Sequence, residues 1–334
     1  MIAVKARTAE PKIIYDGVPL DLANDAKSFQ YVDESSGNSD TISLEIADIS
    51  RKWITVNYPK KGAKMAASIV VRNWLSPGDT RILHCGSFTL DDVGFSGWPL
   101  SASLSAVSAP SDSSFRETKR TKTWENATVQ QIAAEISGKY GLLCIYEADE
   151  SQVDTKEQNE QTDSEFLTSL CADYGLCIKI YDTRVVIYDR EMVKKMPPVA
   201  VFTQADILPG WSFQTSLDGT YTGGKITYTD ADSEEDIEVT VGTDERLLEL
   251  NEKCDSEADA EKKIKSAVNE ANHDMTKLHF KTMGNPALVS TQNVQISGMG
   301  EIDGKYYLNK VTHDLSASGY VTTYDASKVE ETVF

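Results

Sequence analysis

The sequence has no apolar run long enough to cross a bilayer as a helix. Its start, Met1 to Arg7, is too short and too polar for a secretory leader. On these absences the chain is expected to be made and kept in the cytoplasm, or to leave the cell by a route other than secretion, and to need no membrane. Cysteine is scarce. Cys85, Cys144, Cys171, Cys177 and Cys254 are odd in number, form no Cys-x-x-Cys pair and share no zinc-like spacing with histidine. Most fall inside periodic apolar stretches, where a thiol acts as a small hydrophobe. Histidine is rarer still. His84 adjoins Cys85, but neighbours on a strand point to opposite faces, so the two do not read as nucleophile and base. His273 and His279 miss the i,i+4 spacing of a helical metal pair, and His313 reads as structural. Gly298 and Gly300 lack the Lys-Ser/Thr of a phosphate loop, and no Gly-x-Ser-x-Gly elbow occurs. The stretch from Asp230 to Glu234 begins like a calcium loop but lacks the central Gly and the closing Glu. The expectation is a protein that is not an enzyme, with no catalytic, cofactor-binding or metal-binding residues.

Positive charge is also in deficit. Lys and Arg number 33 against 52 Asp and Glu, a net charge of −19, which argues against binding nucleic acid through its phosphates. The acids gather in residues 144–175, 230–236 and 244–261. The bases gather at Lys60, Lys61 and Lys64 and at Arg116, Lys119, Arg120 and Lys122. Such clusters read first as solvated loops and second as opposite-sign patches for self-assembly.

What is present, twice, is a helix followed by Tyr-Gly-Leu and a short strand. In the first copy Val129, Ile132, Ala133, Ile136 and Tyr140 recur at helical spacing, and Cys144-Ile145-Tyr146 follows. In the second, Phe166, Leu167, Leu170, Cys171 and Tyr174 do so, and Cys177 to Tyr181 follows. Gly141 and Gly175 stand where a left-handed C-terminal cap is needed. Asn126 or Thr128, and Thr162 or Asp163, are candidate N-caps. Two copies are too few for a solenoid, so they read as one small α/β domain. Its middle, residues 147–161, is so polar that it reads as a mobile acidic loop.

The flanks read as β. Residues 13–20 form a hairpin about Asp16-Gly17. Residues 41–46, 67–71, 81–85, 87–93 and 99–106 follow as strands, and residues 109–114 form a boundary. After Pro197-Pro198, strands are expected at 216–228, 237–241, 277–282, 293–297, 305–314 and 319–324. One helix, capped by Ser256, has Ala260, Ile264, Ala267, Val268 and Ala271 on one side. The tail beyond Ala326 reads as loose. The fold class is therefore α+β, mainly β. Residues 1–112 and 199–334 have similar lengths and textures, which suggests two related β-barrel domains with a small α/β domain, 113–198, spliced between them.

Several stretches together resemble the late control D family, the baseplate hub proteins of contractile phage tails and tail-like bacteriocins. They are residues 39–46 followed by Trp53, residues 86–93 followed by Pro99, residues 120–125 running into Tyr140-Gly141-Leu142, residues 161–167 with Tyr174-Gly175, and residues 184–189, 306–315 and 320–323. The resemblance implies a homotrimer in which each subunit contributes two tube-like barrels to a pseudo-sixfold ring. Its partners would be the tail tube or tube-initiator protein, the central spike protein, baseplate wedge proteins and the tape measure protein. Its location would be the baseplate of a virion or tail-like particle assembled in the host cytoplasm. Larger hubs carry an appended spike or lysozyme-like segment; with no such segment read in these residues, the spike is expected to be a separate protein. The family reading adds one hypothesis, that acidic loops lining the channel keep DNA moving. The alternative reading is a peptidoglycan-binding module of LysM type, from the helix-Tyr-Gly texture of residues 128–141, or a cell-wall hydrolase of the tail tip.

Overall fold

The computed structural model describes residues 6–22, 25–108, 113–229, 236–254 and 256–330. The fold is mainly β. Alternation sets its strands: in Thr41–Ala47 the side chains of Ile42, Leu44 and Ile46 are buried while Ser43 and Glu45 are exposed. The first hairpin turns at Asp16 and Gly17, both at positive φ, as a two-residue primed turn requires. The segments read separately as 81–85 and 87–93 are one strand, Thr80–Ser96, irregular beside Gly86.

Thirteen of the described strands form one sheet. Ser212–Thr215, Thr276–Met283, Gly319–Lys328, Gly304–Ser316, Ala26–Glu34, Thr41–Ala47, Ser101–Val107, Thr80–Ser96, Lys64–Arg72, Thr8–Tyr15 and Val18–Pro19 lie side by side in that order. Asn293–Ser297 and Ala200–Thr203 branch from the start of Gly304–Ser316. The first and last thirds of the chain are thus hydrogen-bonded to each other through Ala26–Glu34 and Gly304–Ser316, with Val32 opposite Thr312 and Tyr31 opposite His313. Behind the sheet lie two apolar cores. One is built on Phe29, Tyr31, Leu44, Ile69, Phe88 and Leu104, and the other on Phe280, Val294, Ile296, Tyr306, Leu308 and Tyr324.

The two cores sit under two ladders of matching register. In the first, Leu90 pairs with Ala106 and Asp92 with Ser105, so that Asp91 is skipped. In the second, Leu308 pairs with Ala326 and Lys310 with Asp325, so that Asn309 is skipped. Leu90 and Leu308 each exchange backbone hydrogen bonds with an incoming loop, at Gly62 and Ala63 in one case and Thr291 and Gln292 in the other.

Residues 113–198 have their own core, on Phe115, Val129, Ile132, Phe166, Leu170, Val185 and Ile187. Both helix units form as their spacing requires. Val129–Lys139 starts in a capping box of Thr128 and Gln131, and Asp163–Asp173 in one of Thr162 and Glu165. Each ends in a Schellman motif: Leu142 N–H donates to Ser137 O and Gly141 N–H to Gly138 O, and Leu176 and Gly175 repeat the pattern on Cys171 and Ala172. The acidic loop expected at 147–161 is instead largely a strand. Gln152–Thr162 pairs with Lys119–Thr128 as a two-stranded ribbon. Its outward side chains are polar on both sides, which is why no alternation marks it. Each unit therefore reads strand, capping box, helix, Tyr-Gly-Leu, strand.

The helix Glu257–His273 and strands Gly223–Thr229, Asp236–Gly242 and Leu247–Asn251 do not join the large sheet. They form a separate three-stranded sheet with its own core of Ile226, Val239, Val241, Ala260 and Ile264. The helix packs so closely that a Cβ on Gly224 would meet Ile264 at 2.5 Å. This unit fills the connection between Ser212–Thr215 and Thr276–Met283. The tail is not loose directly after Ala326, since the last strand runs to Lys328. Residues 109–112 of the expected boundary, and 230–235 of the acidic turn and calcium-like stretch, lie outside the described residues.

Candidate functional site

The residue types with catalytic potential are spread through the fold. His84 is exposed and Cys85 buried, on opposite sides of their strand, and burial pushes the Cys85 thiol far up. His313 is buried, its Nδ1 2.8 Å from the Tyr320 hydroxyl, and burial pulls its pKa down to about 4. His273 Nε2 lies 2.8 Å from Asn309 Oδ1, and burial, helped by Arg190 and Lys194, pulls it down to about 3. His279 Nδ1 lies 2.6 Å from Asp325 Oδ1. All five cysteines are free thiols, and Cys144 is the least buried. Among the described residues, no three His, Cys, Asp or Glu side chains gather as a metal would need.

The charge that matters is buried where three parts of the chain meet. Lys179, on the strand Cys177–Tyr181, reaches out of its own unit into the large sheet. Its ammonium pairs with Asp33, lies 3.3 Å from Asp40 Oδ1, and donates to Glu34 O at 2.7 Å and to Ser290 Oγ at 3.1 Å. Asp33 also accepts from Ser290, at 2.7 Å from N–H and 2.9 Å from Oγ. Burial works against the charge of Lys179, but Asp33 and Asp40 outweigh it and its pKa is raised. Burial raises Asp40 to about 7, with Lys179 opposing and Asp33 reinforcing the shift. Around this centre Tyr188 Oη lies 2.9 Å from both Ser35 O and Tyr307 Oη. Asn293 Nδ2 donates to Val193 O at 2.6 Å, and Arg190 pairs with Glu270 at 2.7 Å. The small α/β unit is thereby pinned to both halves of the sheet at once.

Asp33 follows Phe29 and Tyr31 on the buried face of Ala26–Glu34, and Lys179 lies two residues from buried Cys177. The acids from Asp33 to Asp40 read in the sequence as a turn, whereas Asp33 is in the strand and both Asp33 and Asp40 are buried. Which lysine meets which aspartate is a long-range fact that periodicity does not carry. The expected basic clusters are partly spent within their own unit: Lys122 pairs with Glu135 at 2.6 Å, and Arg120 with buried Asp163 at 3.3 Å.

The other face of the large sheet is open and polar. Gln30, Ser43, Glu45, Asp92, Ser103, Ser105 and Asp314 line a concavity on the first half. Gln214, Lys277, His279, Lys310 and Asp325 line another on the second. Short hydroxyls and mixed charges repeat across many strands. Such a face can form a wetted wall.

No protein-family model and no curated protein matches the sequence. Solved structures do. The fold is similar to that of the tail protein from Neisseria meningitidis MC58, with a TM-score of 0.74 and 13% identity, covering 97% of this chain and 97% of that one. It is similar to the 43 kDa tail protein of prophage MuSo2 from Shewanella oneidensis, with a TM-score of 0.74 and 13% identity over 96% and 99% of the two chains. It is also similar to the E. coli c3393 protein, a type VI secretion component described as resembling T4 bacteriophage tail proteins gp27 and gp5. There the TM-score is 0.61 and the identity 14%, over 96% and 78%. The fold is that of phage-tail proteins, in keeping with what the family resemblance implied.

Proposed function

We propose that this chain is a structural baseplate hub protein. Three copies close a pseudo-sixfold ring that joins the hexameric tail tube to the central spike of a contractile phage tail or tail-like particle. The observation that carries this reading is the doubled ladder within one sheet. Each chain presents two similar strand units joined edge to edge, so three chains supply six, which suits a sixfold tube on one side and a threefold spike on the other. The two cores support two tube-like barrel domains, 1–112 and 199–334, with 113–198 as the inserted α/β domain and residues 216–275 as an elaboration of the second barrel. The open polar face suits a channel wall. It mixes Glu45, Asp92 and Asp314 with Lys277 and Lys310; uniform repulsion of DNA would thus fall to loops beyond the sheet. The role is non-enzymatic, and the partners are the chain itself, tube or tube-initiator, spike, wedge and tape measure proteins.

The test is to mix the purified chain with the tube and spike proteins of its own particle and to measure the mass of what forms. A complex holding three copies of the chain and one spike is expected. Retention on purified cell wall with no spike complex supports the peptidoglycan-binding alternative, and clearing of a cell-wall gel supports a hydrolase; either refutes the hub.

A further inference from the structure

The junction between the two halves shows how one strand unit receives the next, and among the described residues the matching edges at residues 92–96 and 212–215 have no partner strand. In the internal junction, Ala26–Glu34 lies against the later part of Gly304–Ser316. Asp33 is opposite Val311, Val32 opposite Thr312, Tyr31 opposite His313 and Gln30 opposite Asp314. The shared ladder identifies the equivalents of both strands. Leu90 and its skipped neighbour Asp91 match Leu308 and Asn309, so Val93, Gly94, Phe95 and Ser96 match Val311, Thr312, His313 and Asp314. Through their partners, Ile42 matches Leu278 and Ser43 matches His279, because Ile42 faces Ala106 and Leu278 faces Ala326. Ile42 pairs with Tyr31 and Leu278 with Phe213. Thus Ser212, Phe213, Gln214 and Thr215 match Gln30, Tyr31, Val32 and Asp33.

Among the described residues, the edge of Ser212–Thr215 away from Thr276–Met283 has no partner strand, and neither has the matching edge of residues 92–96. Burial differs as a missing neighbour requires. Tyr31 and His313 are 1% and 0% exposed and stack with centroids 5.9 Å apart and planes 8° apart. Their equivalents Phe213 and Phe95 are only half-buried, as is Val93 beside fully buried Val311. Unpaired strand edges with apolar side chains are sites of association.

We infer that, in the ring proposed above and resting on that reading, Ser212–Thr215 of one copy pairs antiparallel with residues 93–96 of the next. Ser212 lies opposite Ser96, Phe213 opposite Phe95, Gln214 opposite Gly94 and Thr215 opposite Val93. The occupant of each edge is a second copy of this chain. The contact is head-to-tail, joining different surfaces of the two copies, and it carries the sheet across the subunit boundary. Phe213 and Phe95 become the counterpart of the Tyr31–His313 stack. Tyr58, which stacks on Phe95 at 5.7 Å, flanks the pair from the loop before Gly62. No like charges meet in this register.

The test places Ser96→Cys and Ser212→Cys in one full-length chain and oxidises it. Residues directly opposite on antiparallel strands have Cβ atoms about 5 Å apart, within reach of a disulfide after small adjustment. On a non-reducing denaturing gel the double variant is expected to give dimer and closed trimer bands, whereas S96C alone, S212C alone and the parent chain stay monomeric. Trimeric mass in solution with no such bands overturns this strand assignment and leaves the ring reading standing; monomeric mass with no bands overturns both. As a second variant, Phe213→Asp is expected to abolish the trimer while the single chain, which loses only the packing of Phe213 on the second core, still melts cooperatively. A trimer that persists in F213D contradicts the inference.

Discussion

Lys179→Met removes the cation at the junction and leaves two carboxylates behind. At 3.3 Å from Asp40, with an effective dielectric of about 20, one unit charge pair is worth about 5 kcal/mol. Asp33 is paired as well, and both acids are buried. Measured losses on breaking a buried ion pair from one side run to about 3–5 kcal/mol. Two features moderate the loss here. Asp33 keeps its bonds from Ser290, and Asp40, already raised to about 7, escapes by taking up a proton. The expected cost is about 3 kcal/mol at pH 8, and it is smaller by about 1 kcal/mol or more at pH 5.5, where Asp40 carries its proton. Urea denaturation followed by circular dichroism at the two pH values measures this directly. The triple variant K179M/D33N/D40N should recover most of the loss, because no buried charge is then unpaired. A K179M chain within about 1 kcal/mol of the parent at pH 8 would refute the claim that this ion cluster pins the α/β unit to the sheet.

Three further outcomes follow from the same structure. The folded Asp40 carboxyl is raised from 3.8 to about 7, so its contribution is fully present below about pH 3.8 and is lost as pH rises through about 7; the parent should be more stable at pH 5.5 than at pH 8.5, and Asp40→Asn should flatten that slope in parallel urea titrations. Gly141→Ala and Gly175→Ala both place a side chain at positive φ, at a cost of about 1–2 kcal/mol. Gly141 faces open space, whereas a Cβ at Gly175 would meet Ser266 Oγ at 2.3 Å, so thermal melting should show G175A as clearly the worse of the two. Thr128→Ala and Thr162→Ala each remove a capping oxygen and should each cost about 1 kcal/mol by the same measurement, additively, since the two boxes share no residue.

The parts legible in the sequence are those set by neighbours along the chain. The Asp16-Gly17 turn, the two Tyr-Gly-Leu stops and the Ser256 cap depend on a few adjacent residues, and each appears where its residues require. Half-buried strands such as Thr41–Ala47 announce themselves by alternation. Gln152–Thr162 does not, because its ribbon buries only Val153, Gln158 and Thr162. Asp236–Gly242 was legible as a strand, but its alternation is the same whether it packs under Glu257–His273 or joins the large sheet. The joining of the two halves, and the meeting of Lys179 with Asp33 and Asp40, hang on pairings far apart in sequence, where one local pattern fits many partners. The polar open face is a property of the strand order, which alone turns the exposed positions of separate strands into a continuous wall.

The central claim, that the chain closes a threefold ring, is met most directly by the mass of the purified chain in solution, measured by sedimentation. The account predicts a single species at three times the 36.8 kDa of one chain, unchanged on dilution through the micromolar range. A monomer, or an even-numbered oligomer that cannot place six strand units around a ring, would contradict it.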